Sequence, residues 1–278
     1  MTKSYVTQSV RDFVTKVNQL CAEGQENLAE IFDITYTNTL ETTIEADQYQ
    51  NAFVLTGDIP AMWQRDSTAQ LRPYLVMAQT DPAVADLILK VVNRQFFNMN
   101  LDPYANAFNL SGNGHGHQTD VTKMTPWIWE RKYELDSLCY PVQLAYLLYK
   151  NTGLTTQFDV TFISAIRKLL KVIEVEQHHE HSDYRFERVE DRPEDSLTHG
   201  GLGEPVGYTG MSWSGFRPSD DACQYGYLVP ANMFAVVILR YLTESLTTIG
   251  DEPEMAAKAE QLAAEIQAGI EKYGTMTN

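Results

Sequence analysis

Thr56–Tyr74, TGDIPAMWQRDSTAQLRPY, runs out of a polar loop into a helical pattern and carries Asp58, Trp63, Gln64, Arg65, Asp66 and Gln70 on the way. Two readings are open. In one, the indole gives an apolar platform while Asp, Arg and Gln offer acceptors and donors to a neutral, hydroxyl-rich ligand. In the other, this is only a capped helix start, with Asp66 as N-cap and Arg65 paired to Asp58.

Outward from this stretch the apolar residues keep helical spacing. Val10, Phe13, Val14, Val17 and Cys21 form one stripe, and Leu28, Ile31 and Phe32 begin the next. A third helix starts near Asp66 and is open to a kink at Pro73. Val84, Leu87, Ile88, Val91 and Val92 mark a fourth; Asp136 is the expected N-cap of a fifth through Val142, Ala145 and Leu148. Phe162, Ile166, Leu169 and Ile173 mark a sixth. Pro230 suits the first turn of a seventh, and Asp251 is the expected cap of an eighth. Connections near Gly24, Thr80–Asp81, Asn151–Thr155 and Gly250–Glu252 are short, so the helices pair as antiparallel hairpins. Those at about 36–65, 100–135 and 176–229 are long, and stacked hairpins would bring all three out at one end. These long segments are too aromatic for disorder and hold the unusual residues, as functional loops do. The expectation is an all-α toroid of helical hairpins with one decorated mouth.

The chain has 278 residues, 44% of them hydrophobic, enough for a substantial core. Its net charge of −16 argues against nucleic acid, whose phosphates need clustered Lys and Arg. No apolar run approaches the length needed to cross a bilayer, so no membrane partner is expected. Cys21, Cys139 and Cys223 lack metal-ligand spacing and read as reduced, buried thiols. The start, MTKSYVTQSVRDF, has no apolar h-region, and the expected location is cytoplasmic.

Two further stretches share the character of the first: Trp129–Val142 (WERKYELDSLCYPV) and Gly207–Ala235 (GYTGMSWSGFRPSDDACQYGYLVPANMFA). Together the three resemble glycoside hydrolase family 125, the bacterial and fungal exo-acting α-1,6-mannosidases. The resemblance runs through essentially the whole chain. It implies an (α/α)6 toroid acting as a single catalytic domain over 1–278, an inverting mechanism, a mannose-containing oligosaccharide as partner, and neither cofactor nor required metal. Four hairpins are legible where that toroid has six, so the expectation is a domain whose C-terminal part is missing.

Inverting hydrolysis needs one carboxyl group to protonate the leaving oxygen and a second, about 6.5–9.5 Å away, to activate water. The resemblance places the general acid in the Asp220–Asp221 pair. Desolvation by Tyr208, Trp213, Phe216 and Tyr225 would raise one carboxyl, whereas a helix start would lower it. Asp220 is the preferred acid and Asp221 the alternative. The family's general base is a glutamate from the C-terminal part of the toroid, and no stretch here matches its surroundings. Glu134 and Glu204 are available substitutes, though both suit substrate binding or loop anchoring better. For the sugar, Asp58, Trp63, Arg65 and Asp66 line up as contacts, with Tyr133, Glu134, Asp136 and Ser137 repeating the blend and Trp213 adding a ring; Asp136 as a mere helix cap is the plain alternative.

In Asn113–His117 (NGHGH) no Cys or carboxylate cluster completes a metal site, although Asp120 is near; presentation of His115 or His117 to hydroxyls is the functional reading and a surface loop the plain one. His178, His179 and His181 read as a solvated turn before a short strand, weak as a metal site. Gly200–Gly203 lacks the context of a phosphate loop. The competing readings are a catalytically silent carbohydrate-binding toroid, a glucoamylase-like hydrolase or sugar epimerase, and a scaffold of stacked hairpins.

Overall fold

The computed structural model describes residues 4–21, 23–46, 51–189 and 192–276. Helices α1 (Gln8–Leu20) and α2 (Glu26–Thr42) form the first hairpin. Next, α3 (Gln64–Leu71) passes through a 3₁₀ turn at Arg72–Tyr74 into the short α4 (Leu75–Ala78), and then comes α5 (Pro82–Leu101). The 3₁₀ turn is the response to Pro73, which lacks the N–H that an α-helix would use there. Helices α6 (Leu135–Thr152) and α7 (Val160–Glu176) make the third pair. After a single turn, α8 (Thr198–Gly201), the fourth pair is α9 (Val229–Thr248) and α10 (Pro253–Tyr273).

Helices α3, α6 and α9 pack side by side as an inner row, while α5, α7 and α10 form the outer row behind them. Each inner helix therefore starts where a long connection ends, and the hairpins build an arc of an α/α toroid. The core is continuous: Val84, Ile88 and Val92 of α5 meet the buried faces of α6 (Leu138, Val142, Leu148) and α7 (Phe162, Ile166, Leu169). Each such side chain contributes roughly 1.5–3 kcal/mol by leaving water.

Local chemistry sets several ends. Asp81 caps α5 by accepting from the Ala83 and Val84 amides at 2.9 and 3.3 Å, and also takes the Thr7 hydroxyl at 2.7 Å, tying α1 to the second hairpin. Asp159 caps α7, and Gly153 ends α6 at φ +76°. The expected caps at Asp66, Asp136 and Asp251 are corrected. Asp66 and Asp136 lie inside the first turns of α3 and α6, with Trp63 and Glu134 at the cap positions; Asp251 precedes Glu252, which holds the cap position of α10.

The α2 stripe is also corrected: Leu28 and Ile31 are 55% and 58% exposed, because α2 packs chiefly on α1 through Phe32 and Tyr36. Cys21 is half-buried rather than buried. The long connections carry regular structure as well. Strands β1 (Ile44–Ala46) and β2 (Ala52–Val54) pair antiparallel in the first. Strand β3 (Met62–Trp63) pairs with β4 (Ala107–Phe108), which pairs with β5 (Ile128–Glu130), so one small sheet joins the first connection to the second.

Candidate active site

That sheet delivers the site. Trp63 opposes Ala107 in β4, and Ala107 opposes Glu130 in β5. Directly after Trp63, α3 begins, and Gln64 anchors it by donating to the Gln95 carbonyl at 3.0 Å. Gln95 in turn donates to the Ser67 and Thr68 hydroxyls at 2.8 and 2.9 Å, a buried polar web that fixes the helix start. Arg65, in the first turn, thus projects from a rigid platform.

Its guanidinium gathers the three connections. It pairs with Glu134 at 2.5 Å, with Asp66 at 3.5 Å and with Asp220 at 3.8 Å. The supposed Arg65–Asp58 pair is corrected: Asp58 is exposed on the Thr56–Ala61 turn, and Arg65 turns instead to the buried carboxylates. Glu134 also accepts from the Ser137 hydroxyl at 2.6 Å and faces the Asn106 amide at 3.5 Å.

The two adjacent aspartates occupy opposite environments. Asp220 adopts φ +69° at the end of a tight turn in which its amide donates to the Arg217 carbonyl at 2.9 Å. That geometry turns Oδ1 inward, where it is buried and receives no hydrogen bond. Burial, then the Glu130 charge, push its carboxyl above the usual range; the neighbouring Glu134 carboxyl, then Arg65 and Lys132, pull the other way without reversing the shift. Asp221 points outward and accepts from Arg217 and Ser219, which hold its carboxyl below the usual range. As a proton donor Asp221 is therefore corrected, since a carboxylate held ionised by an arginine has no proton to give.

Glu130 ends β5, and Glu134, at the cap of α6, is again extended (φ −114°, ψ 120°). Glu130, Lys132 and Glu134 all turn toward the rim. Lys132, buried, donates to the Asp220 carbonyl at 2.5 Å and to Asp195 at 2.7 Å, and lies 3.6 Å from Glu130. Arg188 grips Asp120 through two bonds of 2.8 and 3.0 Å and reaches Glu130 at 2.7 Å. Against the upward push of burial, Lys132 and Arg188 hold Glu130 below the ordinary carboxylate range. Glu130, Lys132, Asp195 and Arg188 stand outside the sequence-based candidates; the period-two alternation after Trp129 is a signal for Glu130 and Lys132, and none marks Asp195 or Arg188.

Tyr133 and Trp213 are corrected as sugar contacts. They are 0% and 1% exposed, and Trp213 is covered by the His179 ring, stacked 3.4 Å away, and by Tyr133. Both support the rim from beneath. His179 is likewise not part of a solvated turn: it lies between the Glu176 carboxylate at 2.5 Å and the Leu202 carbonyl at 2.7 Å. His115 is exposed, and its loop neighbour His117 is the one that approaches Glu130, at 3.9 Å.

Asp136 faces a cavity of about 450 Å³ bounded by Arg72, Tyr140, Gln143, Pro218 and Phe234. Positions 136, 140 and 143 form one face of α6, and the cavity lies between that face and the start of α9. Both carboxylate oxygens of Asp136, and the amide oxygen of Gln143, are buried there without a donor. Burial raises the Asp136 carboxyl, partly offset by Arg65. The indole Nε1 of Trp63 is buried and unsatisfied as well. Unpaired groups of this kind cost roughly 1–3 kcal/mol each unless a ligand completes them. Donors and acceptors together suit hydroxyl groups. A larger cavity of about 700 Å³, among Glu204, Tyr208, Tyr225, Tyr227 and Tyr273, contains none of these carboxylates except Glu204.

An arc of hairpins whose mouth joins a tryptophan, a clamped arginine and buried carboxylates defines an α/α-toroid protein of the carbohydrate-active class. Comparison with known proteins agrees. The family profile described as metal-independent alpha-mannosidase (GH125) matches residues 25–278, and the chain belongs to this family, glycoside hydrolase family 125. A structure from Streptococcus pneumoniae, of a metal-independent alpha mannosidase in a non-productive complex with alpha-1,6-mannobiose, is 49% identical with a TM-score of 0.95, covering 98% of this chain and 65% of that one. The Meiotically up-regulated gene 157 protein of Schizosaccharomyces pombe is 34% identical over 294 residues, covering 98% of this chain and 57% of that protein. The chain thus spans less than two thirds of the length of either relative.

Proposed function

We propose that the chain forms the sugar-binding and acid-bearing part of an inverting, exo-acting α-1,6-mannosidase that removes terminal mannose from oligosaccharides. The observation that carries this is Asp220: its inward oxygen has no hydrogen-bond donor and lies 3.8 Å from the Arg65 guanidinium, at a rim shared with Glu134 and with its proton affinity raised. In this reading Asp220 protonates the departing glycosidic oxygen. Arg65, Asp66 and Asp136 bind mannose hydroxyls, and Trp63 lends its edge and ring. The mannobiose held by the Streptococcus pneumoniae relative is the support for linkage and sugar.

The general base is proposed to lie outside these 278 residues. Glu134 is engaged by Arg65 and Ser137, which leaves it poorly placed to take a proton from water, and the exposed Glu204 is bonded by Thr198 at 2.9 Å. Calorimetric titration with α-1,6-mannobiose, together with a mannose-release assay, tests this. Binding with negligible release is expected. Robust release overturns the missing base, and no binding overturns the sugar pocket. A catalytically silent carbohydrate-binding toroid, the second reading, rests on the same absence of a free base among the described residues. It gains ground if binding persists without turnover when the longer relatives' remaining segment is joined to the chain.

A further inference from the structure

Residues 177–182 follow α7 in a turn whose backbone is pinned from inside. The His178 amide donates to the Val175 carbonyl at 3.0 Å, the His181 amide to the His178 carbonyl at 2.9 Å, and the Ser182 amide to the His179 carbonyl at 2.9 Å. His179 and Ser182 turn inward onto Glu176, which holds them at 2.5 Å each. In such a 3₁₀ turn side chains three apart eclipse, so anchoring 179 and 182 inside leaves 178 and 181 together outside. Glu180 lies between them: one carboxylate oxygen is 3.7 Å from Nδ1 of His178 and 3.7 Å from Nδ1 of His181. The three ligand atoms all lie within 4.8 Å of one another, and the three side chains are exposed. The His178 ring is further held by Tyr208, stacked on it at 4.6 Å and 10°.

We propose that His178, Glu180 and His181 form a surface site for a borderline divalent transition ion such as Zn²⁺. Two imidazole nitrogens and one carboxylate oxygen are a donor set that zinc accepts, at bond lengths of about 2.0–2.2 Å. A tetrahedral ion would then want its donors about 3.3 Å apart, as follows from those lengths. The two 3.7 Å separations, and that between the two imidazoles, which is within 4.8 Å, close to this by rotations of side chains on a fixed turn. Oxygen-preferring Ca²⁺ and Mg²⁺ suit it poorly. The fourth position stays open to water or to a donor from another molecule. The ion takes no part in glycosidic cleavage, in keeping with the family's metal-independent description.

Cobalt substitution gives a direct readout. The 278-residue chain titrated with Co²⁺ should develop tetrahedral visible absorption that one equivalent of Zn²⁺ displaces. Equilibrium dialysis should show one Zn²⁺ per chain, weakened at least tenfold in both His178→Ala and His181→Ala. Because these side chains are exposed, both variants should keep the parent far-ultraviolet circular dichroism. No zinc uptake by the parent at a millimolar concentration overturns the site. So does stoichiometric uptake that survives both substitutions, since it places the ion elsewhere.

Discussion

Asp220 and Asp221 share a peptide bond and almost nothing else. The left-handed backbone at Asp220 sends one carboxyl inward and the other onto Arg217. A sequence shows that an acid pair is present; the turn decides which member has its proton affinity raised and which has it lowered. In an active enzyme carrying this rim, Asp220→Asn should lower the rate on substrates with poor leaving groups by about 10²–10⁴-fold, and on activated aryl glycosides far less. Its pH–rate profile should lose the alkaline fall, because protonated Asp220 is consumed as pH rises through its raised pKa. An equal loss on both substrate types would remove Asp220 from the acid role. Asp136 offers a second test. Its folded pKa is raised by burial, so its contribution to stability is present below the unfolded value and is lost as pH rises through the folded one. Thermal denaturation should show Asp136→Asn more stable than the parent at pH 7 and indistinguishable near pH 3.5, with weaker mannobiose binding.

At the level of elements, periodicity showed the helices because their buried faces are long and regular: the stripes of α5 and α7 read from the sequence are buried in the fold. Caps were less legible. Asp66 and Asp136 look like N-caps, but the helices begin earlier, with Trp63 and Glu134 at the cap positions and both aspartates inside the first turns. Strands β3 and β4 are two residues each, too short to leave an alternation, although the stretch after Trp129 has one in Glu130, Lys132 and Glu134. Cross-links between connections could not be read at all, since nothing local pairs Arg188 with Asp120. Arg188→Met would leave the buried Asp120 and Glu130 without their shared cation. Denaturant unfolding should show a loss of about 3–5 kcal/mol, as expected for a broken buried pair. Replacing all three residues by apolar ones of similar volume should cost much less.

For the whole molecule, alternating short and long connections were enough to imply one decorated mouth, and the contacts of Arg65 and Lys132 with Asp220 show the three excursions meeting there. The family's toroid is legible in the motifs, whereas the contrasting surroundings of Asp220 and Asp221 are set by a turn that no local pattern announces. Lys132 carries one further implication. Its buried ammonium ion is met by Asp195 and by the carbonyl of Asp220, groups that leave the ribosome at least 63 residues later. Until then Lys132 has only Glu130, 3.6 Å away in the fold, as a local counter-charge, and water must serve its remaining donors. Nascent chains shorter than that are poorly suited to folding hairpin by hairpin, and the N-terminal half should await its distant counter-charges before it becomes resistant to proteases.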